Sequence, residues 1–169
     1  MPPIVDADAL VVLGGSMSCQ DDAEAPWLAP TRQLISRTVR AGTPFLGICL
    51  GHQLATVALG GQVCTSDHFC LGAAEMHLTP EGKKDPLLSV YDGHRGIHFN
   101  NDVAVVLPED AVLLARDPTG QIEAVRFAER AWGVQFHPEC TPEIFDAWTI
   151  GHGEKEWQQR LPWSEAVAL

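Results

Sequence analysis

The sequence predicts an α/β fold built on a parallel sheet, and two patterns in its N-terminal third carry that prediction. Short, uninterrupted apolar runs alternate along the chain with longer segments in which apolar residues recur at helical spacing. Uninterrupted apolar runs are typical of strands that are buried on both faces, as they are in parallel sheets. The order strand, helix, strand, helix therefore predicts a parallel sheet flanked by helices.

The first two strands and helices have clear boundaries in the sequence. The apolar run Ala9–Leu13 precedes a Gly-Gly turn and predicts a short strand. In Trp27–Ala41, apolar residues at helical spacing alternate with arginines, which predicts a helix that ends at Gly42. The run Pro44–Ile48 predicts a second buried strand, and Leu50–Leu59 predicts a second helix that closes at a glycine pair.

The chain between residues 63 and 136 predicts short strands that are separated by Pro, Gly and Asp turn signals. The predicted strands are Glu75–Thr79, Val103–Leu107, Val112–Ala115, Glu123–Phe127 and Trp132–Phe136. A last helix is predicted over Glu143–Trp148, with Thr141 as its N-cap and Pro142 at its first position. The glycines of Gly151-His152-Gly153 are expected to interrupt this helix.

Composition narrows the class of protein. The 169 residues are expected to form one domain, 1–169, with a substantial core. A net charge of −11, from 11 basic against 22 acidic residues, argues against nucleic acid as a partner, because binding to phosphates depends on clustered Lys and Arg. No apolar run approaches the roughly 20 residues of a membrane-spanning helix, so no membrane partner is expected. Five cysteines without a disulfide-framework spacing or a secretory signal indicate a reducing cytoplasm.

Cys49 occupies a special position where a predicted strand meets a predicted helix. The segment Gly47-Ile48-Cys49-Leu50-Gly51 has the G-x-nucleophile-x-G pattern of a nucleophile elbow. Its glycines allow a sharp turn and let a substrate approach the side chain. The free N–H groups at the start of the helix are expected to lower the pKa of the thiol and activate it. The alternative interpretation is a small buried cysteine that packs in a turn.

His137 and Glu139 are two residues apart at the end of a predicted strand, in the segment Gly133–Glu139. Residues at this spacing point to the same side of an extended chain, and Pro138 disfavours helix at His137. The carboxylate can then fix the tautomer of the imidazole, and Cys49 would complete a set of nucleophile, base and orienting group. The alternative interpretation is a histidine at a strand end beside a solvated glutamate.

These segments resemble signatures of the class I, triad-type glutamine amidotransferase family, and its GMP-synthase-like branch in particular. The segment 44–54 resembles the nucleophile signature, Gly133–Glu139 resembles the His-Pro-Glu signature, and Val12–Ser18 is similar to the glycine turn of the oxyanion hole. The resemblance implies a flavodoxin-like fold with its site at the carboxyl ends of the strands. One departure is Phe99-Asn100-Asn101-Asp102, where that branch commonly has Trp-His-x-Asp.

The resemblance also implies roles for individual residues. It implies that Cys49, His137 and Glu139 form a catalytic triad. It also implies that the N–H groups of Gly15 and Leu50 form an oxyanion hole and that Gln53 contacts bound glutamine. The implied reaction converts glutamine to glutamate and ammonia through a glutamyl thioester and requires no metal or organic cofactor. His52 is expected to be a packing or surface residue rather than the base. The residues Cys64, His68 and Cys70 fall short of a zinc signature.

Three further expectations concern the rest of the protein. Members of this family open with a strand and helix that build the middle of the sheet, so an N-terminal strand and helix, and a closing helix after Trp148, are expected to be missing from this chain. A separate synthase subunit is expected to receive the ammonia, because the chain is too short to include one. Two other functions remain open: a γ-glutamyl hydrolase or peptidase with the same triad, and a non-catalytic binding or regulatory homologue.

Overall fold

The computed structural model describes residues 7–150 and shows a mixed α/β fold. Within that range the chain forms eight strands, three helices and two short 3-10 turns. In chain order the strands and helices are β1 (Leu10–Val12), α1 (Leu28–Arg40), β2 (Phe45–Ile48), α2 (Leu50–Ala58), β3 (Gln62–Glu75), β4 (His77–Leu78), β5 (Arg95–Val106), β6 (Val112–Arg116), β7 (Ile122–Ala128), β8 (Ala131–Val134) and α3 (Pro142–Ile150).

Six of the strands form one sheet in the order β1-β2-β8-β7-β6-β4, and β3 and β5 form a separate antiparallel pair. The pairs β1–β2 and β2–β8 are parallel, whereas the other three pairs of the large sheet are antiparallel. Because β1, β2 and β8 run the same way, their carboxyl ends meet at one edge of the sheet. Gly14, Cys49 and His137 follow these three ends along the chain, so the topology brings them together.

The buried apolar side chains form two clusters. Leu28 and Ile35 of α1 and Leu54 of α2 are fully buried in one apolar cluster, where burial of each side chain contributes roughly 1.5–3 kcal/mol. A second cluster contains Leu114 and Phe136. Within residues 7–150, no helix is long and apolar enough to cross a membrane. The packing of α1 and α2 fixes the parallel strands, and with them the edge at which the three chain segments meet.

The helices and the parallel strands lie where the sequence predicts them, with boundaries shifted by one or two residues. The helix α3 also begins as predicted, because Pro142 is its first residue and the Ile144 N–H donates to Thr141 Oγ1 at 3.3 Å. The predicted interruption at Gly151-His152-Gly153 lies outside the described residues. Local sequence patterns were therefore sufficient for these elements.

The antiparallel pair β3–β5 differs most from the prediction, which placed only Glu75–Thr79 and Val103–Leu107 in this part of the chain. The structure gives two long strands instead, ends β3 at Glu75 and begins the separate strand β4 at His77. Two features hide β3 from a reading of its sequence. Its register shifts between Thr65 and Cys70, which breaks the alternation of buried and exposed side chains, and its partner lies far along the chain.

Candidate functional site

Cys49 lies in a sharp turn between β2 and α2, as the elbow pattern predicts. Its backbone has φ 50° and ψ −106°, and among the described residues it is the one position other than glycine with a positive φ. Such a conformation typically costs on the order of 1–3 kcal/mol and persists only where neighbours hold it. Here the Cys49 N–H donates to the Val134 carbonyl at 2.8 Å, and the Cys49 carbonyl accepts from the Gln53 N–H at 3.1 Å.

The glycines on either side of Cys49 let three backbone segments approach one another closely. A Cβ atom on Gly47 would lie 2.5 Å from the carbonyl oxygen of Gly51, and a Cβ on Gly51 would lie 2.0 Å from the carbonyl oxygen of Val12. Side-chain carbons do not approach a backbone this closely. Glycine at both positions therefore allows α2 to begin directly against β1 and β2, which places Cys49 at the edge of the sheet.

The Cys49 thiol is buried, with 4% of the residue exposed. Burial raises the pKa of this thiol to about 12, the Leu50 N–H lowers it in part, and the charge of Glu139 raises it. The expectation that the start of the helix would give Cys49 a low pKa is therefore wrong, because the loss of solvation outweighs the helix N–H groups. Formation of the thiolate consequently requires a base that accepts its proton.

His137 is held by both its ring and its backbone. The Nδ1 atom lies 2.7 Å from Oε1 of Glu139, and the His137 N–H donates to the Ile97 carbonyl at 2.8 Å. The ring of Trp148 packs edge-on against the imidazole, with the ring centres 4.7 Å apart. Because a carboxylate accepts the Nδ1 proton, Nε2 of a neutral His137 is left as a proton acceptor.

The contact between His137 and Glu139 arises in a different way from the one expected. The prediction extended a strand to Phe136, but β8 ends at Val134. The residues after His137 form a turn, in which the Cys140 N–H donates to the His137 carbonyl at 3.3 Å. The two side chains therefore meet across a turn and not along an extended strand.

Cys49 and His137 border the same small space above Gly14. A Cβ atom on Gly14 would lie 2.8 Å from Cε1 of His137 and 3.6 Å from the Cβ of Cys49. Glycine at this position therefore leaves room for imidazole and thiol to lie side by side. The structure thus brings together all three residues that the sequence grouped by pattern, which are Cys49, His137 and Glu139.

The two residues expected to form an oxyanion hole also lie beside Cys49. Leu50 is the first residue of α2, and its N–H is close enough to the sulfur to lower the thiol pKa. Gly15 follows β1, and a Cβ on it would lie 2.7 Å from Cδ2 of Leu50. Gly15 and Cys49 line one cleft of about 640 Å³, which is large enough to admit an amino acid.

Gln53 also lines this cleft, one turn after Cys49 on α2. It is buried, and its Nε2 donates to the Asp102 carbonyl at 2.8 Å and to Oε1 of Gln135 at 3.2 Å. Both amide protons of Gln53 therefore have partners within the protein. The remaining polar atom of Gln53, Oε1, could only accept a hydrogen bond from a bound molecule.

The cleft contains a carboxylate to which the sequence patterns gave no role. Asp102 is 9% exposed and accepts hydrogen bonds from Ser18 Oγ at 2.6 Å and Thr65 Oγ1 at 2.9 Å. Asp21 lines the same cleft, and none of the described lining residues is basic. Local patterns could not reveal this cluster, because Ser18, Thr65 and Asp102 come from three distant segments.

The other four cysteines differ in their exposure. Cys19 is buried, Cys64 is exposed, and Cys70 and Cys140 are partly buried. Burial raises the pKa of Cys19, Cys70 and Cys140 to about 11. None of these four residues lines the cleft that contains Cys49.

His52 is a packing residue, which is one of the two roles expected for it. It is fully buried between Phe127 and Gly133, and neither ring nitrogen has a hydrogen-bond partner among the described residues. Burial lowers the pKa of this imidazole from 6.5 to about 4. His52 is therefore neutral in the folded protein at neutral pH.

The low pKa of His52 predicts a loss of stability in acid. Between pH 6.5 and 4 the unfolded chain gains a proton at this residue that the folded chain does not, so the free energy of unfolding should fall by roughly 3 kcal/mol across that window. The substitution His52→Leu should flatten this dependence in urea unfolding at pH 7 and pH 5. The exposed control His94→Leu should retain it, and equal slopes for the two variants would contradict the assignment.

The chain is similar to known proteins over most of its length. The profile of the family described as "Glutamine amidotransferase class-I" matches residues 3–151. The glutamine amidotransferase-like protein YfeJ of Salmonella typhimurium is 32% identical over 161 residues, which cover 92% of this chain and 66% of that protein. A subunit of the glutamine-hydrolysing GMP synthase of Methanothermobacter thermautotrophicus is 29% identical over 139 residues, which cover 79% of this chain and 66% of that protein.

The fold also has relatives among solved structures. The crystal structure of a glutamine amidotransferase from Thermotoga maritima matches 98% of this chain with a TM-score of 0.82, at 23% sequence identity and over 72% of its own length. This match confirms the α/β, flavodoxin-like fold class. The chain spans 66% of the length of each of the two relatives described above. Because the family profile covers most of the chain, including the elbow and the His-Pro-Glu segment, the chain belongs to the class-I glutamine amidotransferase family.

Proposed function

We propose that this protein hydrolyses the side-chain amide of glutamine to glutamate and ammonia, with Cys49 as nucleophile, His137 as base and Glu139 as the carboxylate that orients it. The observation that carries the proposal is the 2.7 Å contact between His137 and Glu139, formed where the imidazole and Cys49 border the same space above Gly14. Such an arrangement is typical of acyl transfer through a covalent intermediate.

The first half of the proposed reaction forms a thioester. Nε2 of His137 removes the proton of the Cys49 thiol, which the high pKa of that thiol makes necessary, and Sγ bonds to the amide carbon of glutamine. The carbonyl oxygen becomes an oxyanion that accepts hydrogen bonds from the N–H groups of Gly15 and Leu50. His137 then gives its proton to the amide nitrogen, the C–N bond breaks, and ammonia leaves.

The second half regenerates the enzyme. A water molecule gives a proton to Nε2 of His137 as its oxygen attacks the thioester carbon, and the same two N–H groups stabilise the second oxyanion. The C–S bond breaks, glutamate leaves, and the proton returns from His137 to Sγ of Cys49. We assign Gln53 to contact the bound glutamine through Oε1, because its amide protons are bonded within the protein.

The ammonia would be consumed by a separate synthase protein. The similarity to a protein named as one subunit of a glutamine-hydrolysing GMP synthase supports such a partner. The reaction of a γ-glutamyl hydrolase or peptidase would use the same three residues and release an amine to solvent. A comparison of glutamine with γ-glutamyl amides as substrates, with and without a candidate synthase, separates the two functions. Stimulation of glutamine hydrolysis by the synthase would favour the first.

A covalent probe tests the nucleophile. We expect a diazo-ketone analogue of glutamine to label Cys49 alone among the five cysteines, because Cys49 lines the cleft and borders the same space above Gly14 as His137. Peptide mapping by mass spectrometry locates the label, and an excess of glutamine should slow its attachment to Cys49. The exposed Cys64 serves as the internal control for unspecific reaction. Label found mainly on Cys64 or another cysteine would contradict the assignment of Cys49 as the nucleophile.

A further inference from the structure

A second imidazole–carboxylate pair lies next to the proposed triad, between β5 and β7. Nε2 of His98 lies 2.6 Å from Oε2 of Glu123, and Nδ1 of His98 lies 3.0 Å from the Gly96 carbonyl oxygen. His98 is 3% exposed and Glu123 is 1% exposed. Because a carbonyl oxygen can only accept, Nδ1 carries a proton, and a second proton lies between Nε2 and the carboxylate. The pair therefore has no net charge, which limits the penalty of burying it.

The electrostatics of His98 support this description. Burial by itself lowers the pKa of the imidazole, but the hydrogen bond and the charge of Glu123 outweigh burial and raise it above its ordinary value. The carbonyl of Gly96 and the more distant charge of Asp117 act in the same direction. The charge of Glu123 and its 2.6 Å hydrogen bond therefore favour the protonated form of His98.

The strands that carry this pair also hold the segment that carries His137. Since β8 ends at Val134, residues 135–137 have left the strand ladder. The Gln135 N–H donates to the carbonyl of Glu123 on β7 at 2.8 Å, and the His137 N–H donates to the carbonyl of Ile97 on β5 at 2.8 Å. These two hydrogen bonds are the anchors of the segment: one is to Glu123 itself, and the other is to Ile97, the neighbour of His98.

The described residues show no ladder that joins these two strands. β7 pairs with β6 and β8 in the large sheet, whereas β5 pairs with β3 in the separate sheet. The side chains of His98 and Glu123 cross this gap at the level of the two anchors. Gly96 lets β5 come close there, because a Cβ on Gly96 would lie 2.6 Å from the Cβ of Phe136.

We propose that His98 and Glu123 are positioning residues for His137, because their buried hydrogen bond sets the distance between the two carbonyl groups that hold the 135–137 segment. The pair thereby aims the imidazole at Cys49. The inference rests on the proposed function only in taking His137 as the base for Cys49. A misplacement of about 1 Å at such a site can lower the rate about 100-fold.

The test breaks the pair from each side. In Glu123→Ala and His98→Ala, we expect kcat for glutamine hydrolysis to fall about 10-fold to 100-fold, and KM to change little, because neither residue lines the cleft. Alkylation of Cys49 by iodoacetamide at pH 7 should slow by a similar factor, because a thiol with a pKa of about 12 reacts only with the help of His137. The double variant should be no slower than either single variant.

Three controls distinguish an effect on the position of His137 from an effect on the stability of the fold. Ile35→Ala removes a buried side chain of α1 and should lower the melting temperature without slowing the alkylation of Cys49. Alkylation of the exposed Cys64 should stay constant in every variant. Glu123→Gln keeps the length of the side chain and a hydrogen bond to His98, so it should restore most of the Cys49 rate, whereas the shorter Glu123→Asp should not.

Each result decides the question. If Cys49 is alkylated at the wild-type rate in Glu123→Ala and His98→Ala, measured below their melting temperatures, the positioning role is overturned. If these variants do not fold, equal Cys49 rates in Glu123→Gln and Glu123→Asp would overturn it instead. If the wild-type protein does not hydrolyse glutamine but Cys49 is still alkylated more slowly in the variants, the proposed function is refuted and the positioning role stands.

Discussion

Replacement of Cys49 by alanine is expected to abolish glutamine hydrolysis, with a loss in kcat of about 10⁶-fold, as for nucleophiles of other triads. No other cysteine lines the cleft, so no described thiol can take over the attack. His137→Ala should be about as damaging, because burial raises the pKa of the Cys49 thiol to about 12 and leaves almost no thiolate without a base. Release of ammonia from glutamine, followed at pH 7, measures both variants.

The pattern among the variants is the sharper test of the triad. The double variant of Cys49 and His137 should lose little more than either single variant, because the two residues act in one step. Glu139→Gln should be less damaging, with a loss of about 10⁴-fold, since the imidazole remains but is held less well in its tautomer. Cys64→Ala should retain wild-type activity as the matched control. Activity of a few per cent in Cys49→Ala would contradict the covalent mechanism.

The parallel half of the fold could be predicted because each of its elements is encoded by adjacent residues. Buried strands such as Phe45–Ile48 are continuous apolar runs, and α1 shows its buried face through Leu28 and Ile35 at helical spacing. Glycines mark the ends of these elements. Their neighbours in space add packing, but they do not change the assignment.

The antiparallel pair β3–β5 could not be predicted in the same way. Within β3, Asp67 and Gly72 interrupt the apolar character, and the register shift after Thr65 removes the two-residue period. These residues form a strand because β5 supplies partners from a distant part of the chain, from Arg95 to Val106. Such tertiary pairing overrides local preference and leaves no periodic signal in the sequence.

The candidate site likewise contains some residues that local patterns reveal and others that they do not. Cys49 between its glycines, and His137 two residues before Glu139, are local patterns, and the structure brings them together. The buried pair His98–Glu123 joins two strands of different sheets, so neither member stands out when it is read separately. The high pKa of Cys49 was missed for a related reason, because burial depends on the whole fold and the helix N–H groups are a local feature.

Gly51→Ala is expected to lower the free energy of unfolding by about 3 kcal/mol or more, at the upper end of what overpacking costs. The new Cβ would lie 2.0 Å from the carbonyl oxygen of Val12 and 3.1 Å from its Cβ, so β1 and α2 could not keep their present separation. Within the described residues β1 pairs with β2 alone, so it is the element most free to move. Urea unfolding, with ΔG extrapolated to water, measures the loss.

Gly60→Ala is the matched control, because it adds the same methyl group just after the same helix. A Cβ there meets nothing within 4 Å, and the positive φ of 101° should cost about 1–2 kcal/mol. The two variants should also differ in chemistry. Movement of β1 carries Gly15 away from Leu50 and weakens the proposed oxyanion hole, so only Gly51→Ala should lower kcat when both variants are assayed well below their melting temperatures. Equal unfolding midpoints and equal kcat values would show that the close approach of α2 to β1 does not fix the position of the turn that carries Cys49.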